Sequence, residues 1–377
     1  MNVRVGLAAL CLMFVTLAPA ASSQESGSSA PQGLPGLLRS DSGATFQKAI
    51  EPRRFVFPDD HGPHPGYRNE WWYVTGNLDS VSRRRFGFEL TIFRFALTPD
   101  APEPDSDWRT NQVYVAHFAL TDADGGQFHA AERYSRGAAG LAGAAADPFR
   151  VWIDDWSIAA AGNQQQWRLH ASDSGFAVDL DMRPLKAPVL NGLGGLSQKS
   201  AEPGNASYYY SMTRWATEGS VRVDDENFIV SGLSWLDREW SSSALGRDQQ
   251  GWDWFALQLD DDSELMFYNL RKSDGSQDLY SAGTWVAADG ASRYLGREDV
   301  NIDVVDTWES PAGGSYPSRW RLQVPSIGLS LDIEPVIADQ ELFTIVRYWE
   351  GAVDVTGERA GRPLAGRGYV ELTGYAD

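Results

Sequence analysis

Apolar and aromatic side chains recur at every second position through most of this chain, in short runs closed by Gly, Asp, Asn or Pro. That period is the one a β-strand imposes, because successive side chains point to opposite faces. Runs of this kind span residues 71–78, 86–95, 113–121, 152–160, 167–171, 176–182, 207–215, 219–223 and 227–232. They continue at 254–259, 265–270, 280–286, 320–324, 329–333, 348–356 and 366–373. The turns at Asp124-Gly125-Gly126, Asp274-Gly275 and Asp289-Gly290 predict hairpins or meanders between neighbouring runs. An all-β, antiparallel sandwich or barrel with hardly any helix follows.

At 377 residues the chain exceeds what one core usually supports, so two domains are expected. Residues 1–20 read as a signal peptide: Arg4, an apolar run from Val5 to Leu17 too short to span a bilayer, and Ala18-Pro19-Ala20 as a small-residue cleavage site. Export to the periplasm or beyond is the expectation. A flexible arm rich in Ser, Gly, Pro and Ala follows, over residues 21–54. The Pro- and Gly-rich stretch from Pro184 to Gly204 predicts a boundary between a first domain, 55–204, and a second, 205–377. An internal echo supports two related units. Trp71-Trp72-Tyr73-Val74-Thr75-Gly76-Asn77-Leu78-Asp79 aligns with Trp252-Asp253-Trp254-Phe255-Ala256-Leu257-Gln258-Leu259-Asp260, and each is followed by a turn and a second strand.

Composition removes several function classes. A formal net charge of −19 argues against nucleic acid or anionic membrane surfaces as partners, since phosphate binding needs a basic footprint. The one cysteine, Cys11, lies in the leader, so a disulfide, a thiolate nucleophile and a cysteine metal ligand are not expected in the mature chain. No later run has the length of a transmembrane helix. No glycine-rich phosphate loop follows a strand and opens a helix, so no nucleotide cofactor is indicated.

Chemistry concentrates between Trp235 and Arg271. Asp237, Arg238, Glu239 and Trp240 precede Trp252, Asp253, Trp254 and Phe255, and the segment runs on through Glu264, Met266 and Tyr268. Acidic groups interleaved with large aromatics suit acid chemistry on an apolar substrate: desolvation keeps the acid protonated, and ring faces attract a developing cation. Flanking Trp235 and Trp240 imply burial of at least one carboxylate, with a structural ion pair to Arg238 or Arg271 as the competing reading.

Other candidates carry less. Gly232-Leu233-Ser234-Trp235-Leu236 starts like a nucleophile elbow but lacks the closing Gly. His61 and His64 beside Asp59 and Asp60 offer metal-ligand types, but two histidines three apart are a small part of a site; a polar loop ordered by hydrogen bonds is the simpler reading, and no metal is assigned. Glu70, before Trp71 and Trp72, reads either as a carboxyl at the mouth of a barrel or as a partner for Arg68 or another arginine. His117 reads as a hydrogen-bonded histidine within a sheet.

His64-Pro65, Asn69-Glu70-Trp71-Trp72-Tyr73, Tyr208-Tyr209-Tyr210-Ser211, Ser234-Trp235-Leu236-Asp237-Arg238-Glu239-Trp240 and Gly251-Trp252-Asp253-Trp254 form an ordered series of long motifs. It continues in Tyr348-Trp349-Glu350-Gly351-Ala352-Val353 and Gly368-Tyr369-Val370-Glu371-Leu372-Thr373-Gly374-Tyr375. The series resembles the AttH-like secreted proteins related to carotenoid 1,2-hydratases, over nearly the whole mature chain. The resemblance implies two packed antiparallel lipocalin-like β-barrel domains and a relation to enzymes that add water to a terminal isoprenoid double bond. It implies an aspartate as proton donor, with His, Trp and Tyr steadying the cation. Trp240 and Tyr268 lie in the matching tryptophan and tyrosine regions. Arg238 stands where some relatives have His, and Asn269 and Leu270 follow Tyr268, so Asp237 or Glu239 takes the part of the acid. Many relatives are labelled predicted secreted hydrolases, for which the residues here give no independent support.

Two functional expectations follow. One is acid-catalysed hydration of a carbon–carbon double bond in a hydrophobic, isoprenoid- or carotenoid-like substrate. Asp237, Glu239, Trp240 and Tyr268 then carry the chemistry, and Trp235, Arg238, Trp252, Trp254, Arg271, His64, Glu70 and Trp72 line the substrate site. The other is a non-catalytic periplasmic carrier of a lipid or other apolar ligand, with carboxylates confined to the rim.

Overall fold

The computed structural model describes residues 45–103, 105–162, 165–243, 245–246 and 248–376. The expected signal peptide and most of the expected arm lie outside them.

The first sheet takes its strands from Asn69 to Ser241. They are β1 (Asn69–Ser80), β2 (Arg85–Ala96), β3 (Gln112–Asp122), β4 (Gln127–Arg136), β5 (Ala142–Ala146), β6 (Phe149–Ile153), β7 (Trp156–Ala161) and β8 (Gln166–Asp173). β9 (Phe176–Pro184), β10 (Val189–Leu190), β11 (Leu196–Gln198), β12 (Ala206–Val223) and β13 (Glu226–Ser241) complete it. The second sheet comprises β14 (Gln249–Leu259), β15 (Glu264–Lys272), β16 (Ala282–Val286), β17 (Ser292–Gly296), β18 (Asn301–Glu309), β19 (Ser315–Val324), β20 (Leu329–Pro335), β21 (Glu341–Phe343), β22 (Arg347–Arg359) and β23 (Arg362–Leu372). Helix among the described residues is confined to three single 3-10 turns.

Both sheets are antiparallel and share one strand order. The first runs β4-β3-β2-β1-β13-β12-β9-β8-β7-β6-β5, and the second runs β17-β16-β15-β14-β23-β22-β20-β19-β18. Each therefore lays four sequential strands side by side and closes its first strand onto its last. β1 corresponds to β14, β2 to β15, β12 to β22 and β13 to β23, so the sequence echo between 71–79 and 252–260 falls on topologically equivalent strands. The first sheet curls into a nearly closed barrel, with β6 returning against β2, β3 and β4, and the second into half a barrel.

The expected boundary at residue 204 falls inside the first sheet, because β12 and β13 lie beyond it and complete the first barrel. The change of sheet comes between Ser241 and Gln249. The Pro- and Gly-rich stretch instead carries β10 and β11, which pair along β12. The run expected at 152–160 is two strands, split at Asp154, which turns with φ 53°.

Alternation sorts each strand between two cores. Trp72, Val74, Phe88, Leu90, Tyr208, Tyr210, Leu236 and Trp240 fill the first barrel. Phe255, Leu257, Phe267, Trp320, Trp349, Val353 and Val370 pack inside the second sheet. A shift of register in β12 between Met212 and Trp215 exchanges the faces, so that Trp215 turns into the first barrel as Met212 does. The outer faces of β1, β2, β12 and β13 pack against those of β14, β15, β22 and β23 around Tyr73, Tyr209, Trp235, Trp254, Met266, Ala352 and Tyr369. At one end the sheets touch: a Cβ added at Gly87 would meet the Cβ of Ala352 at 2.5 Å, and Asn77 Nδ2 donates to the Gly368 carbonyl at 3.1 Å.

Candidate functional site

The cavity opens between the two sheets, and strand register dictates its walls. Across the first sheet, Thr91, Tyr73, Asp237 and Ser211 stand abreast on β2, β1, β13 and β12, with Phe93, Trp71, Glu239 and Tyr209 in a second row. Across the second sheet, Tyr268, Trp254, Glu371 and Glu350 stand abreast on β15, β14, β23 and β22. By the shared topology Tyr73 corresponds to Trp254 and Asp237 to Glu371, so each wall carries an aromatic beside a carboxyl. The two aromatics meet edge to face at 5.0 Å. All of these except Ser211 line the cavity, together with Lys199, Leu245, Trp252, Leu270 and Tyr348. Trp71 and Trp252, the paired leads of the sequence echo, are both partly exposed.

Asp237 is buried and fully hydrogen-bonded. Its Oδ1 accepts from Ser211 Oγ at 2.5 Å and from Trp235 Nε1 at 2.7 Å, and its Oδ2 accepts from the Tyr209 hydroxyl. Tyr209 in turn accepts from Trp254 Nε1 at 3.2 Å. Burial pushes the Asp237 carboxyl up to about 7, past the pull of these three donors, and neighbouring Glu239 adds to the rise. Near neutral pH the group is thus poised to give a proton and to take one back.

Glu239 is held differently. It accepts from Ser207 Oγ and pairs with Lys199 Nζ at 3.2 Å. Burial opposes a charged Lys199, but Glu239, with Tyr268 and Asp237 adding to it, outweighs burial and holds the ammonium above its ordinary range. Glu239 is therefore the charge partner of a cation, and Asp237 is the acid without one. Opposite, burial raises Glu371 to about 8. Burial also raises Glu350 well above its ordinary range, helped by Glu89 and Glu371, although Tyr73 donates a hydrogen bond to it. Beside Glu350 stands Tyr348, whose hydroxyl meets His117 Nδ1 at 2.7 Å, and His117 Nε2 lies 3.2 Å from Glu132.

Of the residues singled out from sequence, Asp237, Glu239, Trp252, Trp254 and Tyr268 come together in this cavity. Trp235 stands behind it, as a donor to Asp237. Trp240, Arg238, His64, Glu70 and Trp72 do not reach it. On β13, residues 235, 237 and 239 face the second sheet, whereas 236, 238 and 240 face the interior of the first barrel. There Glu70 accepts from Arg94 and Arg238, Arg238 donates to the Gly62 carbonyl at 2.6 Å, and His64 stacks on Trp240 at 3.7 Å. Arg238 also lies 3.9 Å over the Trp72 ring. Its ion partner is thus Glu70, and the alternative of a pair with Asp237 is not realised. Arg271 likewise turns to the other face of its sheet, pairing with Asp253 at 2.9 Å and covering Tyr375.

Sequence reasoning missed Tyr73, Tyr209, Lys199, Glu350 and Glu371 as cavity residues. Tyr73, Tyr209, Glu350 and Glu371 all lie within the motif series, and the strand register that sets them beside Asp237, Glu239 and Trp254 was the missing link. Lys199 sits on a loop after β11, where nothing in the local sequence signals a site.

This fold and site define a lipocalin-like, two-sheet β protein with an aromatic, carboxyl-bearing cavity between its sheets. The AttH-like family model matches residues 48–375, and the chain belongs to that family. Among solved structures, a protein from Nitrosomonas europaea described as an AttH matches with 32% identity and a TM-score of 0.77, covering 88% of this chain and all of that one. Kievitone hydratase from Nectria haematococca matches with 15% identity and a TM-score of 0.66, covering 89% of this chain and 98% of its own. CghA, solved with Sch210972, matches with 13% identity and a TM-score of 0.54, covering 90% and 98%. At such low identity these last two share the fold alone. No curated protein matches the chain.

Proposed function

We propose that the cavity between the sheets catalyses acid-assisted addition of water to a carbon–carbon double bond of a hydrophobic, isoprenoid-like substrate. The observation that carries this reading is Asp237, a buried carboxyl poised near neutrality in an aromatic wall. Its protonated carboxyl gives H⁺ to the less substituted alkene carbon, leaving a cation on the more substituted one. Trp71, Trp252 and Trp254 line the cavity around that cation, and a ring face turned to it contributes about 0.5–2 kcal/mol. Water adds to the cation and returns a proton to the Asp237 carboxylate, so the net change is H₂O across C=C. Tyr209, hydrogen-bonded to Asp237, orients the acid.

That a kievitone hydratase has this fold supports water addition as chemistry the scaffold accommodates. A carrier would place its carboxyls at the rim, whereas Asp237 is 3% exposed and lies within the wall. The apolar run at the start of the chain supports export, so we place the activity outside the cytoplasm.

The test is incubation with a panel of isoprenoid alkenes in ¹⁸O-labelled water, with mass spectrometry for a labelled hydroxyl in the product. Asp237→Asn, which keeps the shape and loses the proton, is expected to lower the rate about 10²–10⁴-fold. Full activity in that variant, or ligands that bind and never gain label, would sink the reading.

A further inference from the structure

Among the described residues, Lys199 is the one cationic side chain in the cavity wall. It is 6% exposed, and its position is fixed from both sides: its N–H donates to Asn205 O at 2.9 Å, and its carbonyl accepts from Gln249 Nε2 at 2.6 Å. An ammonium has three N–H donors and no acceptor. Glu239, at 3.2 Å, is the one oxygen partner of this ammonium among the described residues. Its other neighbours are ring faces, Tyr268 at 4.0 Å and Tyr209 at 5.4 Å. Ring faces attract the charge but do not supply the directed lone pairs its remaining N–H groups require. The Tyr268 hydroxyl meets Ser197 Oγ at 2.8 Å and makes no hydrogen bond to this ammonium, which lies over the ring instead.

We infer that Lys199 marks a subsite for an acceptor oxygen on the ligand, so that the substrate is an unsaturated apolar molecule bearing a carbonyl or similar oxygen rather than a bare hydrocarbon. The inference rests on reading the cavity as a ligand site. A site built to hydrogen-bond a polar group disfavours the analogue that lacks it, because its donor is then left buried without an acceptor. The aromatic wall takes the hydrocarbon body, and Lys199 fixes which end of it lies beside Glu239. Because Asp237 and Glu239 project from one face of β13 two residues apart, the anchored oxygen sets how far along the ligand the double bond meets the acid.

The experiment compares geranylacetone, an isoprenoid ketone, with the hydrocarbon of the same skeleton, following binding by tryptophan fluorescence. The wild-type protein is expected to bind the ketone at least about tenfold more tightly, the weight of one charge-assisted hydrogen bond. In Lys199→Met combined with Glu239→Gln, which removes the ion pair together and leaves no uncompensated charge, the preference is expected to fall within about twofold. Lys199→Arg, which keeps the donors, is expected to retain it. Equal binding of both ligands by the wild-type protein, or a preference that survives in the double variant, overturns the Lys199 subsite while leaving the cavity as the ligand site. Failure of both ligands to bind overturns the subsite and the ligand-site reading together.

Discussion

Asp237 and Arg238 are consecutive in the chain and face opposite sides of one strand. The carboxyl meets Ser211, Trp235 and Tyr209 in the cavity, and the guanidinium meets Glu70 inside the first barrel. A cation beside an acid ordinarily depresses its pKa. Here the strand itself separates them, and burial raises Asp237 instead.

Hydration activity should therefore follow the protonated form of Asp237. The rate is expected to be level at mildly acidic pH and to fall as pH rises through about 7, the value to which burial brings this carboxyl. A pH–rate profile on a substrate identified by label incorporation checks this. A rate that climbs through that range would assign the proton-donor role elsewhere.

The ion cluster inside the first barrel is expected to dominate acid stability. Burial acts to raise Glu70, but Arg94 and Arg238 outweigh it and hold the group well below the usual carboxylate range. A depressed pKa contributes stability that is present above the ordinary value of 4.5 and lost as pH falls through the folded value. Glu70→Gln leaves two buried guanidinium groups short of their anion and is expected to cost about 3–5 kcal/mol, read by urea denaturation at neutral pH.

Alkaline pH should loosen the packing between sheets. Burial raises Glu371 to about 8, and Glu350 is raised well above its ordinary 4.5. A raised pKa contributes stability that is complete below the unfolded value and lost as pH rises through the folded one. Glu371→Gln removes one of these ionisations, so its melting temperature is expected to fall less than that of the wild-type protein between mildly acidic and mildly alkaline buffer. Parallel curves for the two proteins would count against it.

The close approach at Gly87 should be intolerant of bulk. Its missing Cβ lets the sheets touch at Ala352, so Gly87→Val is expected to destabilise by about 1–3 kcal/mol through overpacking. Thermal denaturation measures the loss, and adding Ala352→Gly is expected to recover part of it.

Much of this architecture was legible because alternation marks any strand with one face on a core, as from Phe86 to Phe95 or Tyr348 to Thr356. Strands β4 and β18 escaped because they are largely exposed or only partly buried and show no apolar stripe. The site was legible only along single strands. Asp237, Glu239, Trp254 and Tyr268 could be read as one acid–aromatic group, but Trp240 and Arg238 were joined to it through sequence adjacency, against the period that assigns them to the barrel. Lys199 and Glu350 reach the cavity through pairing and sheet packing over long separations, which a local pattern does not encode.

A slip of β13 by one residue against β1 would bring Arg238 to the outer side and draw Asp237 into the barrel, since every side chain on a strand changes sides together. Such a slip would strand the guanidinium away from Glu70 and bury an unaccompanied carboxyl beside Trp72. The charged knot sealed inside the first barrel thus works as a ratchet pin, fixing the phase of the strand whose reverse side carries the acid.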